Sequence, residues 1–162
     1  HIHEGTWGIQ GLDILGRKVQ MQKGAAVAVL REEIQATLDS ASDMSGLADH
    51  CVQLNAALEQ VEATIKSVSE ASDPALALAN ATVFLDAMGH VVIAWMWLKQ
   101  AVAATQGLQQ GNAGDTAFYQ GKLAATQFFF RYELPKTKAS LELVAGLDST
   151  CYDLSADQFT GS

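Results

Sequence analysis

Apolar residues at helical spacing constrain what this chain can fold into more than any other feature. The longest run alternates steps of three and four residues: Leu47, Cys51, Leu54, Leu58, Val61, Ile65 and Val68. That spacing predicts an amphipathic helix of about seven turns, and its apolar stripe needs neighbouring helices to cover it. No stretch alternates apolar and polar residues in the manner of a strand between turns. The sequence therefore predicts an all-α protein.

A helix is also predicted upstream of this run. Its apolar face is formed by Val27, Leu30, Ile34 and Leu38. Arg31 falls on the opposite, polar face, and the helix ends in the segment 40–46. The two helices are expected to form a first antiparallel pair.

The segment after residue 72 predicts a long helix that is apolar on several sides. Asp73 is a capping residue, and Pro74 suits the first position of a helix. Apolar residues continue to Val102, and Gly107 together with the segment 111–114 should end the helix. A helix that is apolar around most of its surface should be the most enclosed of the set.

A fourth helix is predicted to start near Asp115. Pro135 must kink or break it, because proline lacks the amide hydrogen and clashes with the preceding turn. The pattern resumes through Val144, and a short helix from Leu12 to Val19 lies near the amino end. The predicted architecture is an up-and-down four-helix bundle preceded by a short amino-terminal segment and helix.

Length and charge narrow the class of protein further. The 162 residues are enough for one domain with its own core. Eighteen acidic side chains against ten basic ones give a formal net charge of −8, so nucleic acid is not an expected partner. Cys51 and Cys151 are too few for a disulfide framework, which favours reduced thiols and a cytoplasmic protein.

The apolar stretch 75–98 is long enough to suggest a membrane span, but polar residues interrupt it. Asn80, Asp86 and His90 lie near its middle, where a carboxylate in a bilayer is costly. We therefore expect a buried helix and no membrane partner. The chain starts without Met and without a signal-peptide pattern, so His1 is expected to be an internal residue of a longer protein.

The bundle itself offers no pattern of catalytic or metal-ligating residues. Di-iron bundles use inward glutamates with Glu-x-x-His pairs, and the sequence has none. Glu59 and Glu62 lie on a polar face, and His50 and His90 are single histidines without a partner at ligand spacing. We expect surface or packing roles for these residues and no metal site.

The first ten residues, HIHEGTWGIQ, hold the candidate functional site. An acidic residue, Glu4, lies among small and apolar residues just before the first predicted helix. A purely structural interpretation exists as well: Thr6 is a helix cap, the glycines form a turn, and the histidines and Glu4 are an exposed start with accidental metal affinity. The residues alone favour the structural interpretation.

The run IHEGTWGIQGLDILGRK at residues 2–18 favours a functional interpretation of this segment over the structural one. It resembles the acyl-CoA dehydrogenase family, in which an aromatic residue precedes Glu-Gly-Thr and an Ile-Gln pair and a helix ending in Arg-Lys follow. The rest of the chain is similar to the extra helical domain of the larger bacterial members, such as the 3-methylmercaptopropionyl-CoA dehydrogenases. The resemblance covers nearly the whole chain.

The resemblance implies an FAD-dependent enzyme that oxidises an acyl-CoA thioester to its trans-2-enoyl product. Glu4 matches the family's base, which removes the α-proton while the β-hydride passes to the flavin. Gly5 and Thr6 match positions that approach FAD, and His3 stands where an aromatic residue lies beside the acyl chain. A carboxylate enclosed by apolar walls loses hydration, so its pKa rises and it becomes a stronger base for a carbon acid.

The resemblance also implies a domain organisation and partners. Residues 1–22 are expected to end the catalytic domain, 23–147 to form the carboxyl-terminal bundle and 148–162 to form a tail. The implied partners are the acyl-CoA substrate, other copies of the same protein and electron-transfer flavoprotein as a candidate acceptor. This chain alone is expected to be inactive and to bind no FAD, because most of the enclosing structure is missing from it.

Trp7 and Gly8 depart from the family pattern, which has a small or amide residue and then Gln, so no cofactor contact is assigned to them. Another class of function stays open: a non-catalytic module for packing or oligomerisation. The DNA-binding alkylation-response branch of the same superfamily ranks last, because a net charge of −8 opposes DNA binding.

Overall fold

A computed structural model of the chain describes residues 5–111 and 115–160, with only the backbone of Thr160. The helices are α1 (Thr6–Gly16), α2 (Ala25–Ala41), α3 (Ala48–Ser69), α4 (Pro74–Leu78), α5 (Ala81–Gln109), α6 (Thr116–Phe128), α7 (Lys136–Ala145) and α8 (Asp157–Thr160). A 3₁₀ segment (Lys18–Gly24) precedes α2, and a π-helical segment (Phe129–Glu133) follows α6. These ranges contain no strand, which confirms the all-α prediction.

Helices α2, α3, α5 and the pair α6–α7 form the bundle, and side-chain contacts give their directions. Cys51 Sγ lies 3.9 Å from the carbonyl oxygen of Leu38, which makes α2 and α3 antiparallel neighbours. Thr126 donates to the carbonyl of Trp97 at 3.2 Å, and Gly107 packs on Tyr119, so α5 and α6 are antiparallel as well. The predicted up-and-down order is therefore observed.

Helix α5 is the centre of the molecule, because it contacts α1, α2, α3, α6 and α7. Its buried residues are Ala81, Phe84, Ala87, Val91, Ala94, Leu98, Ala101, Ala104 and Gly107. This is the largest number of buried residues in any described helix, but α5 is also the longest, and Ile93 and Met96 on it are exposed, so it is not more enclosed than α3 as predicted. By length and composition α5 is also the one described helix that could cross a membrane, a test that the core helix of a soluble protein passes too.

Helix α3 confirms the apolar seam, although it is shorter than predicted. Its 22 residues make about six turns rather than seven. Leu54, Leu58 and Val61 are fully buried, and Thr64 donates to the carbonyl of Gln60 in its own helix at 2.8 Å. The hydroxyl of Thr64 is thereby satisfied inside the core.

The long helix predicted from residue 74 is broken in two. The backbone leaves the helix at Ala79 and Asn80, between α4 and α5. The Asn80 side chain donates to the carbonyl of Asp148 at 2.8 Å, which ties this break to the segment after α7. Gly107 was predicted to help end the helix, but it lies inside α5. A methyl group there would lie 2.5 Å from the Tyr119 ring, so this glycine allows two helices to approach closely.

Pro135 breaks the fourth helix, as predicted, and the break has a specific form. The amide of Leu134 donates to the carbonyl of Phe129 at 2.9 Å, a bond five residues apart that defines the π-helical segment. Helix α7 starts directly after the proline. The wider turn of the π-helical segment accommodates Pro135, which has no amide hydrogen to donate.

The amino-terminal helix differs from the prediction at both ends. It covers Thr6–Gly16 instead of Leu12 to Val19, so Thr6 starts the helix rather than capping it, and Gly8 lies within it. Of the glycines that suggested a turn, Gly5 has a left-handed backbone just before the helix, whereas Gly8 is helical. After α1 the chain reverses through a 3₁₀ segment in which Gln22 and Lys23 have positive φ.

Candidate functional site

The structure describes part of the predicted site. Glu4 and His3 lie outside the described residues, whereas Gly5 and Thr6 lie at the start of α1. Gly5 has a φ of 83°, in the left-handed region that glycine adopts without strain, and it is exposed. Apart from its chain neighbours, no residue within the described ranges has an atom within 4 Å of where its side chain would be, so another group has room to approach this backbone.

The residue before α1 offers no side-chain cap. Gly5 has no side chain that could accept a hydrogen bond, and the first turn of the helix contains no acidic residue. The backbone amides at a helix start carry the positive end of the helix dipole.

One face of α1 is held against α5 by contacts that leave no free space. A methyl group added at Gly11 would lie 2.9 Å from both the carbonyl carbon and the carbonyl oxygen of Ala81. Leu15, one turn later, is completely buried. At Gly16 a methyl group would lie 3.3 Å from the side chain of Leu78. The sequence did not identify Gly11 as a packing residue. The only sequence feature that pointed to this role is its position one helical turn before an apolar residue, Leu15.

Apolar residues of α1 are also exposed. Ile9 and Leu12, which point away from the packed face, are 67% and 48% exposed, and Trp7, one turn before Gly11, is 44% exposed. The polar pair on this helix, Arg17 and Asp13, is joined by a 2.6 Å bond from Nε to Oδ1. That hydrogen bond lowers the pKa of the Asp13 carboxyl.

A second concave region lies between α3 and the break in the fourth helix. Its lining is mostly polar, it encloses about 450 Å³, and it includes His50 and Arg131. The His50 ring packs edge-on against Phe130, with centroids 4.6 Å apart. Desolvation lowers the pKa of His50, and the nearby Asp49 carboxylate opposes that effect. His50 thus has the packing role that the sequence predicted.

The acidic residues considered for metal binding have other roles. Glu59 and Glu62 lie 3.9 and 3.8 Å from the guanidinium of Arg31, which bridges α2 and α3 instead of pointing away from the bundle. His90 Nδ1 lies 2.8 Å from the carbonyl oxygen of Asp86 one turn earlier. Within 5–111 and 115–160, no cluster of three or more His, Cys, Asp or Glu side chains could hold a metal ion.

The structure defines a class of domain: a helical bundle preceded by a short helix that begins at Thr6. The family described as acetyl-CoA dehydrogenase C-terminal like matches residues 30–155. The chain belongs to this family of acyl-CoA dehydrogenase carboxyl-terminal domains, which confirms the resemblance inferred from its sequence.

Two curated proteins are similar to the chain. A broad-specificity linear acyl-CoA dehydrogenase of Mycobacterium tuberculosis is 29% identical over 98% of this chain and 27% of that protein. A 3-methylmercaptopropionyl-CoA dehydrogenase of Ruegeria pomeroyi is 32% identical over 85% of this chain and 24% of that protein. The chain therefore spans about a quarter of the length of these relatives.

Proposed function

We propose that this chain is the carboxyl-terminal part of an FAD-dependent acyl-CoA dehydrogenase, which oxidises an acyl-CoA thioester to trans-2-enoyl-CoA with Glu4 as the base. The observation that carries the proposal is the motif Glu4-Gly5-Thr6 at the start of α1, in a chain of this family. Gly5 is exposed and in the left-handed conformation, so it provides an open backbone beside the proposed base.

The residues of this chain would contribute the acid–base part of the reaction. The Glu4 carboxylate takes the proton from the α-carbon and becomes a carboxylic acid. The chemistry that bound FAD supplies is acceptance of the hydride that leaves the β-carbon. His3 would contact the acyl chain as part of the substrate pocket.

The described residues fit a flavin contact at one point. Gly5 has no side chain, and apart from its chain neighbours no described residue has an atom within 4 Å of where one would be. A backbone without a side chain allows the close approach of a cofactor. Together with the family motif, this supports Gly5 and Thr6 as the residues that would approach FAD. The exposed face of α1 supports the view that the rest of the site lies in the remainder of a longer protein.

The proposal extends to partners and location. The substrate is an acyl-CoA, electron-transfer flavoprotein is a candidate electron acceptor, and the enzyme is a homo-oligomer in the cytoplasm. The net charge of −8 opposes a nucleic-acid partner.

The test is Glu4→Gln in the intact enzyme. General-base catalysis contributes about 10²- to 10⁴-fold, so we expect turnover to fall by at least about a hundredfold while FAD stays bound. Reduction of the flavin after anaerobic mixing with acyl-CoA measures the chemical step directly.

Glu70→Gln, an exposed carboxylate at the end of α3, is the matched control and should keep the rate of the unmodified enzyme. If Glu4→Gln reduced the flavin as fast as this control, Glu4 would not be the base.

A second candidate function is a packing or oligomerisation module, and one aromatic pair favours it. Phe128 and Tyr132, at the end of α6 and in the π-helical segment, are each more than half exposed. Phe128 and Tyr132 stack with their centroids 5.0 Å apart. Exposed aromatic clusters are enriched at protein interfaces.

A further inference from the structure

We propose that the carboxyl-terminal tail, residues 148–160, docks into a groove between α3 and α7 of a second copy of this protein. This contact is independent of the reaction proposed above and uses none of its residues. Two surfaces of the described structure support it, because they complement each other in apolar character and in charge.

The groove lies along the first part of α3, where the break in the fourth helix packs against it. Two cavities of about 450 and 410 Å³ adjoin there, because Gln53 and Pro135 line both of them. The first cavity is lined mainly by polar residues. The second is mainly apolar and includes Ala56 and the buried side chain of Leu134. Both volumes lie in the range of small binding pockets, so the groove has room for side chains of another segment.

Each of the two cavities has a cation in its lining. Arg131 lines the first cavity and forms no ion pair within the described ranges. Lys138 lines the second, and its ammonium lies 4.0 Å from Glu142 in an exposed pair that contributes little. The Asp49 carboxylate also lines the first cavity, but it lies in the first turn of α3, where the helix dipole offsets its charge. The groove is therefore positive, whereas the chain as a whole is strongly negative.

The tail has the opposite charge and exposes large apolar side chains. Tyr152, Leu154 and Phe159 are 48%, 44% and 75% exposed. Asp153 and Asp157 supply carboxylates among them, and no Lys or Arg occurs from residue 148 to the end of the chain. Exposed apolar residues that are bordered by charged ones mark a protein interaction site.

The groove and the tail match in both properties. The apolar side chains of the tail would pack in the apolar cavity, and its carboxylates, Asp153 and Asp157, would face Arg131 and Lys138. Burial of apolar area provides affinity, while complementary charges fix the register of the contact. Because the net charge of the chain is −8, a positive groove is a place where an acidic segment of another copy approaches without repulsion.

The position of α7 assigns the tail to another copy. Helix α7 begins directly after Pro135, which lines the groove, and the tail begins after the other end of α7, where Asn80 donates to the carbonyl of Asp148. The ten residues of α7 separate these two ends by about 15 Å. None of the described tail residues lines either cavity of its own copy. Two copies related by a twofold axis would exchange tails and fill both grooves with the same contact.

The groove also adjoins the exposed aromatic pair. Phe128 and Tyr132 stack with their centroids 5.0 Å apart, and Phe130 and Arg131, which lie between them in the sequence, line the first cavity. The surface already considered as a contact between copies thus continues into the groove.

Cross-linking of two cysteine variants tests the contact in the intact enzyme. One copy carries Leu154→Cys in the tail and the other carries Ala56→Cys in the groove. Both also carry Cys151→Ser, which removes an exposed native thiol. The two copies are co-expressed with different tags and treated with a short bismaleimide. A peptide that joins positions 154 and 56, identified by mass spectrometry, then forms only between copies, and we expect to find it.

Ala36→Cys is the matched control for Ala56→Cys. Ala36 is also an exposed helical alanine that lines a cavity, but its cavity lies between α2 and α5. We expect no link between positions 154 and 36. A link from position 154 to position 56 that is no more abundant than this control would overturn the proposal.

Reversal of the charges tests how the tail is recognised. Arg131→Glu together with Lys138→Glu in the groove copy should lower the yield of the link at least about tenfold, because like charges then face each other. Adding Asp153→Lys and Asp157→Lys to the tail copy should restore most of the yield. All four positions are exposed, so these substitutions should preserve the fold. An unchanged yield after the first reversal would contradict the proposed recognition.

A further variant distinguishes exchange between copies from folding back within one copy. If Leu154→Cys and Ala56→Cys form a link only when one copy carries both, the tail binds its own groove and the proposed exchange is wrong. These readouts do not depend on turnover, so the outcome for Glu4→Gln and the outcome for the tail are separate.

Discussion

Several polar side chains inside this protein form hydrogen bonds with groups on a neighbouring helix. Thr126 donates to the carbonyl of Lys122 in its own helix and to that of Trp97 on α5, at 2.9 and 3.2 Å. The indole of Trp95 donates to the Thr37 hydroxyl at 2.8 Å, which links α5 to α2. Such bonds compensate for desolvation and fix how the helices are rotated against each other.

His50 gives a prediction for stability against pH. Desolvation lowers its pKa below the ordinary value of 6.5, so the unfolded chain binds the proton more readily than the folded one. The free energy of unfolding should therefore fall as pH decreases below about 6.5 and level off below the folded-state pKa. Urea unfolding between pH 7.5 and pH 5, followed by circular dichroism, measures this loss over roughly two to three pH units.

His50→Gln should reduce the dependence of the free energy of unfolding on pH. His90→Gln is the control: it leaves His50 in place, so the pH dependence should stay as in the unmodified chain. The same pH dependence in His50→Gln as in the unmodified chain would show that His50 is not the group responsible.

At the scale of the elements, α4 shows how a cap and a proline determine a helix start. Asp73 Oδ1 accepts from the amides of Ala75 and Leu76 at 2.8 and 3.4 Å, and Pro74 occupies the first helical position. The proline has no amide hydrogen to satisfy, so one carboxylate serves the remaining first-turn amides. Asp73 and Pro74 thus have the roles predicted for them, and the predicted helix start is confirmed.

Asp73→Ala should lower the free energy of unfolding by about 1 kcal/mol, because it removes the acceptor for these amides. Urea titration of the chain checks this value. Asp115→Ala is the matched control, since Asp115 also precedes a helix but its side chain makes no capping bond. Equal losses in the two variants would mean that the capping bond of Asp73 does not stabilise the fold.

At the scale of the whole molecule, the surface combines a strong negative charge with exposed apolar areas. A net charge of −8 opposes association through self-repulsion. The main exposed apolar areas discussed above are the side of α1 with Ile9 and Leu12 and the stacked pair of Phe128 and Tyr132. Under the proposed function, the rest of the enzyme would cover the first area, and the second is a candidate contact between copies of the protein.

The second assignment gives a prediction for assembly. Replacing Phe128 and Tyr132 together by Ser should lower the molar mass measured by light scattering during gel filtration, because it removes the aromatic contact area. Val52→Ser, at an apolar residue on α3 that is more exposed than either aromatic residue, should leave the molar mass unchanged. An unchanged molar mass in the double variant would exclude this cluster as the contact between copies.

The fold class, the apolar seam of α3, the start at Asp73, the break at Pro135 and the acyl-CoA dehydrogenase resemblance could all be predicted from the amino-acid order. Each depends on the spacing of residues, on a short motif or on the backbone chemistry of a single residue. All of these can be recognised from residues close together in the sequence. The contact of Gly11 with Ala81, the bridge from Arg31 to α3 and the break between α4 and α5 depended on tertiary structure. These features arise where backbone atoms or charged groups from distant parts of the chain come together. The periodicity of apolar residues along one helix does not show which atoms of other helices will contact it.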